Sequence, residues 1–76
     1  MPEVFRESGM VVYVYREMHG QHHERHCHVR WQRGRTSVRL SDLQTLAGPE
    51  LPRRLWLILE RRRWEVEQHW QSVNGR

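Results

Sequence analysis

A chain of 76 residues has room for one thin hydrophobic core and no deep enclosed active site, because a domain this small buries only ~60% of the surface its unfolded chain exposes. Hydrophobic residues make up 37% and charged residues 29%, which excludes the composition of a disordered chain. The formal net charge is +4 with the six His counted neutral, and all thirteen basic residues are Arg, so the charge favours acidic partners, nucleic acid first.

In chain order, residues 3–6 form a short apolar-centred run that stops at the turn signal Ser8-Gly9. Residues 10–15 read as a strand, since Val11, Val12 and Val14 are β-branched and Tyr13 and Tyr15 aromatic. Both faces of this strand are apolar or amphipathic, which places it centrally in a sheet. Residues 17–25 are polar, contain Gly20, and read as a loop. Residues 26–32 alternate with period two: Cys27, Val29 and Trp31 point one way, His26, His28, Arg30 and Gln32 the other. After the hairpin signal Arg33-Gly34, residues 35–40 alternate again, with Thr36, Val38 and Leu40 on one face and Arg35, Ser37 and Arg39 on the other. Ser41-Asp42 offers caps for a short turn through Leu46, ended by Gly48.

A long helix is expected over residues 50–72, entered through prolines that suit a first helical turn. Leu55, Ile58, Leu59, Val66, Trp70 and Val73 share one stripe, and Leu57 and Trp64 lie opposite. Arg61/Glu65 and Arg63/Glu67 are expected i,i+4 ion pairs. The fold class is therefore α+β, one domain over 1–76: an antiparallel meander of about four strands followed by one long C-terminal helix packed on one face. The register is argued by cost. A one-residue slip would bury Arg30 and Arg39 under the helix without partners, at several kcal/mol each.

The longest apolar runs, 10–15 and 55–59, fall far short of the ~20 residues that cross a bilayer. The opening carries no cationic stretch followed by an apolar one, so no signal peptide is expected. The single Cys27 excludes an intramolecular disulfide and a multi-cysteine zinc site. A reduced, cytoplasmic setting without membrane contact is the resulting expectation.

Several pieces together resemble a family of small bacterial proteins catalogued as domain of unknown function 4160. They are the start Met1-Pro2-Glu3-Val4-Phe5-Arg6, Gly9 before the strand 10–15, His26-Cys27-His28-Val29 as a His-x-His-Val signature, Leu51-Pro52-Arg53-Arg54 as a helix start, and Trp70 near the end. Glu24-Arg25 stands where that family has two prolines, Cys27 replaces an aliphatic residue, and the stretch from Arg54 to Trp70 is about one helical turn short. The resemblance implies strands followed by a helix. It also implies a layout similar to toxin–antitoxin pairs, with a small protein encoded alongside.

Four constellations carry chemistry. His26 and His28 face the same way on a strand, and two imidazoles so placed can converge on a divalent transition metal, with a third ligand from His22 or His23; the alternative is a pair of histidines supporting the sheet. The same histidines with Arg30 form a candidate catalytic set for metal-free RNA cleavage, one base, one acid and one cation. Arg30, Arg35 and Arg39 with Tyr13 and Tyr15 form a candidate nucleic-acid or partner-binding platform, provided the tyrosines lie on the open side and not under the helix. Trp64, beside Arg61 and across from the core stripe, is a candidate protein-contact residue, with packing against Val4 and Phe5 as the alternative.

The leading expectation is a small basic binding protein, one half of a two-gene module, engaging a small partner protein, RNA or DNA through a His/Arg sheet face. A His-dependent RNA-cleaving enzyme and a structural homo-oligomer are the other readings.

Overall fold

The computed structural model describes residues 3–16 and 24–75. Five strands, β1 (Glu3–Glu7), β2 (Met10–Tyr13), β3 (His26–Trp31), β4 (Gly34–Arg39) and β5 (Thr45–Ala47), precede two helices, α1 (Arg53–Arg61) and α2 (Arg63–Asn74). The strands pair antiparallel in sequence order, β1-β2-β3-β4-β5. The α+β class and the meander stand. Two expectations are corrected: the sheet has a fifth strand, and the long helix is two consecutive pieces.

The β1–β2 hairpin turns through Ser8 and Gly9, both at positive φ (53° and 83°), the pattern of a two-residue type I′ turn. A bulge at Val4 shifts the register between Glu3↔Tyr13 and Phe5↔Val12. Phe5 is thereby buried, while Glu3 and Arg6 meet on the other side at 2.8 Å. β2 is shorter than expected, yet Val14 beyond it remains buried.

The fifth strand lies in the segment expected to form a short turn. Leu43, at φ 59°, inserts its side chain into the core, and its carbonyl accepts the Trp56 indole N–H at 3.1 Å. The Arg39 N–H donates to the Gln44 carbonyl at 2.9 Å and the Leu43 N–H to the Arg39 carbonyl at 2.7 Å, which folds the chain back along β4. Asp42 accepts the backbone N–H of Gln44 and thus caps a turn, from which the chain enters β5 and does not continue as turn through Leu46.

The helices are interrupted at Arg62, whose backbone (φ −105°, ψ 18°) leaves the helical region. Hydrogen bonds from the Arg62 N–H to Ile58 and from the Val66 N–H to Arg62 carry the ladder across the bend. The Arg62 guanidinium sits 3.8 Å from the Phe5 ring centroid and reaches Glu7 and Glu65. This bend changes the expected ion pairs. Arg62, not Arg61, meets Glu65; Arg61 turns to Glu7; and Arg63 donates to the Ser41 carbonyl.

The core lies between one sheet face and the helices. Met10, Val12, Val14, Cys27, Val29, Val38 and Leu40 meet Leu55, Ile58, Leu59 and Val66, all buried. Burying each such side chain stabilises by ~1.5–3 kcal/mol. Trp70 and Val73 complete the stripe at its edge. Trp31 shares this face but is half-buried at the sheet's end, shallower than expected. Its indole N–H donates to Thr36 Oγ1 at 2.8 Å, and that hydroxyl donates to the Pro49 carbonyl at 2.6 Å, so the one buried polar residue among those described is satisfied.

Candidate functional site

Strand pairing assembles the opposite face. In the β3–β4 register His26 lies across from Arg39, His28 from Ser37 and Arg30 from Arg35. In the β2–β3 register Val11 lies across from Arg30 and Tyr13 from His28. Directly opposed residues of an antiparallel pair share a face, so His26, His28, Arg30, Arg35, Ser37, Arg39 and Tyr13 line one surface. Val12 and Val14 lie beneath the helices, which settles the alternative left open for the tyrosine strand. Neither helix packs on this surface.

The aromatic groups form a row across the face. The Tyr13 and Tyr15 rings are stacked, 6.0 Å apart with 7° between planes. Tyr15 meets His28 edge-on at 4.9 Å, and His28 meets His26 edge-on at 5.2 Å. The Arg30 guanidinium lies 5.4 Å from the centroid of Tyr13. The ring Nδ1 of His26 lies 3.2 Å from the Glu24 carbonyl, which can only accept. Nδ1 of His26 is therefore the donor in that contact. His28 Nδ1 lies 3.3 Å from Ser37 Oγ.

The arginines divide into two groups. Arg39 is tied into the structure: it donates to Asp42 at 3.0 Å, to Glu24 at 3.2 Å and to Gln44 at 2.7 Å. The Arg39 guanidinium, together with the Gln44 N–H, holds the Asp42 carboxyl below its usual range, and Asp42 in turn raises Arg39. Arg39 is on the face but clamps its β5 end. Arg6 is likewise neutralised by Glu3, whose carboxyl that contact lowers. Arg30 and Arg35 are different. They are exposed, directly opposed like charges, and neither enters an ion pair among the described residues. Such a pair is mildly unfavourable in the free protein.

A shallow depression of about 280 Å³ adjoins His26, lined also by Glu24, Ser37, Leu46 and Ala47. Leu46 and Ala47 come from the strand the sequence did not disclose. Cys27 faces the core, and burial pushes its thiol up to about 12, so it takes no part in chemistry on this face. Among the described residues no group of three His, Cys, Asp or Glu side chains is placed to hold a metal ion. His22 and His23, the expected third ligands, lie outside the described residues, as does His19.

Trp64 lies on the outer side of α2 and is 71% exposed, with Leu57 on α1 43% exposed. Trp64 is too exposed to be packed against Val4 and Phe5, and the Arg62 guanidinium lies over the Phe5 ring. No described helix is long and apolar enough to cross a membrane. Compared with protein-family models, with curated proteins and with solved structures, the chain matches none.

Proposed function

We propose that the protein is a small basic binding module whose ligand is single-stranded nucleic acid, engaged on the open face of the sheet. The observation that carries this reading is the pairing of an aromatic row, Tyr13–Tyr15–His28–His26, with the opposed and exposed Arg30 and Arg35, which enter no ion pair among the described residues, on one sheet surface. Bases stack on aromatic rings whatever their sequence, and guanidinium groups take the phosphates. A flat sheet face suits unpaired bases, which can be splayed out onto it.

Binding of a fluorescein-labelled single-stranded RNA, followed by anisotropy at low salt, tests the reading. Arg30→Gln and Arg35→Gln are expected to weaken binding regardless of sequence, each flattening the salt dependence by about 0.7 in log–log slope. Absence of binding at low salt would refute it.

The His-dependent RNA-cleaving reading keeps one specific support: the His26 and His28 rings lie edge to edge at 5.2 Å, with His26 Nδ1 against the Glu24 carbonyl. Cleavage products that appear with the parent protein and vanish in both His26→Ala and His28→Ala, with RNA binding retained, would favour catalysis over simple binding.

A further inference from the structure

The charged side chains of the described residues are distributed unevenly. Arg6, Arg39, Arg61 and Arg62 are each held by a carboxylate from Glu3, Glu7, Glu24, Asp42 or Glu65. Arg16, Arg25, Arg30, Arg33, Arg35, Arg53 and Arg54 are exposed and enter no ion pair among the described residues, with Arg25 over the Trp70 ring. Five of these come from the β3–β4 hairpin end and the start of α1, which meet where Arg33 and Arg54 line one hollow. Arg30 and Arg35 face each other just before the β3–β4 turn, and Arg33 is in the turn. Arg53 and Arg54 open α1, whose first turn holds no acid and whose cap makes no side-chain hydrogen bond.

Both placements are unfavourable in the free protein. Like charges opposed across strands repel, and cations at a helix N-terminus oppose its dipole. A bound polyanion reverses both terms.

The same end of the molecule is grooved. Arg33 and Arg54 both line a hollow of about 520 Å³ with Trp31, Gln32, Pro49 and Pro52, and Glu50 is the acid among its lining residues. A deeper hollow of about 110 Å³ adjoins it and shares Trp31, Gln32, Pro52 and Arg54. One wall is held in place: the Trp31 indole donates to Thr36, whose hydroxyl donates to the Pro49 carbonyl. A groove with Trp31, Pro49 and Pro52 on its apolar side and two arginines fits a sugar–phosphate backbone, with the guanidinium groups at its phosphates.

We propose that this groove continues the nucleic-acid path. A strand bound on the open face leaves it at Arg30 and Arg35, crosses the β3–β4 turn, and lays its next phosphates between Arg33 and Arg54. The inference rests on the binding function proposed for the open face and adds a second, separable segment to the site. From His26 to Arg30 the face is about 13 Å long at ~3.3 Å per residue, room for the two or three bases that sheet platforms stack. A longer strand must run off it, and at the turn end it meets a groove that carries Arg33 and Arg54.

The test compares a trinucleotide with a nonamer of the same single-stranded RNA, both fluorescein-labelled, on the full chain and on the Arg33→Gln/Arg54→Gln double variant. The expected result is that the nonamer binds the parent at least about tenfold tighter than the trinucleotide. The double variant should lose that advantage and flatten the nonamer's salt slope by about 1.4, at ~0.7 per phosphate. Trinucleotide binding and the melting temperature should be unchanged, because both substituted side chains are exposed. If the trinucleotide binds and the nonamer binds the double variant as tightly as the parent, the groove is not on the path, while the open face stands. If neither oligonucleotide binds, both proposals fall. If poly-glutamate displaces the nonamer from the parent as effectively as unlabelled RNA does, the groove is an acidic-peptide site and the proposal is overturned.

Discussion

Arg39 shows how far a residue's identity underdetermines its role. On the strand pattern it belongs with Arg30 and Arg35, but Asp42, Glu24 and Gln44 occupy its donors, so it serves the β4–β5 turn. Asp42 gains from the same contact. Its folded-state carboxyl is lowered from 3.8, so its contribution to stability is full above pH of about 4 and is lost as the pH falls through the lowered value. Asp42→Asn should therefore lower the melting temperature at pH 7, and its melt should approach the parent's as the pH falls through the lowered value. A difference that persists unchanged over that fall would assign the effect to packing. Cys27 offers a second test at this scale. Buried and with its thiol pushed up to about 12, it should react with a thiol reagent only when the chain opens, at a rate that follows denaturant concentration. Trp31, half-buried but tied to Thr36, should cost about 3 kcal/mol when replaced by Ala, the low end for a buried Trp, as measured by urea denaturation.

Among the elements, the informative cases are the turn after β4 and the bend between the helices. The three-residue β5 is too short for periodicity to reveal, and its register depends on Leu43 reaching the core and on Gly48 at φ 89°. A Cβ at Gly48 would run into the Arg35 carbonyl oxygen. Gly48→Ala should accordingly detach β5 and destabilise the domain by about 2 kcal/mol or more, read by loss of amide protection in 45–47. The bend at Arg62 has no proline or glycine to announce it. What marks it is tertiary: Phe5 and Glu7 from β1 meet the Arg62 side chain. Arg62→Ala removes a cation–π contact and two ion pairs and should cost about 1–2 kcal/mol in a thermal or chemical melt.

At the scale of the whole molecule, one sheet face is committed to the core and the other presents rings and charge. Arg6 and Arg39 are held by carboxylates of their own chain, whereas Arg30 and Arg35 enter no ion pair among the described residues. If bases stack here, Tyr13→Ala should weaken single-stranded RNA binding by ~1–3 kcal/mol with little change in salt slope, in contrast to the arginine variants. A loss of salt dependence in Tyr13→Ala would show that the ring acts by positioning Arg30.

The face assignment was legible because period-two alternation is a local property of the chain: a strand with Val29 inward must carry His28 and Arg30 outward, and burying those charges costs more than any compensating contact offers. The helix stripe followed from the same kind of regularity, and Leu55, Ile58, Leu59 and Val66 are buried. What local pattern does not encode is which strand lies beside which group. The side of Tyr13 followed only from its pairing with His28, the capture of Arg39 from a turn that brings Asp42 and Gln44 back to it, and the break at Arg62 from contacts with β1, 55 residues earlier for Glu7. The cluster of Arg33 with Arg54 was equally invisible, since only the folded chain sets a hairpin turn beside the start of a helix. Alternation and amphipathicity are set by neighbours in sequence; charge neutralisation, edge strands and grooves are set by neighbours in space.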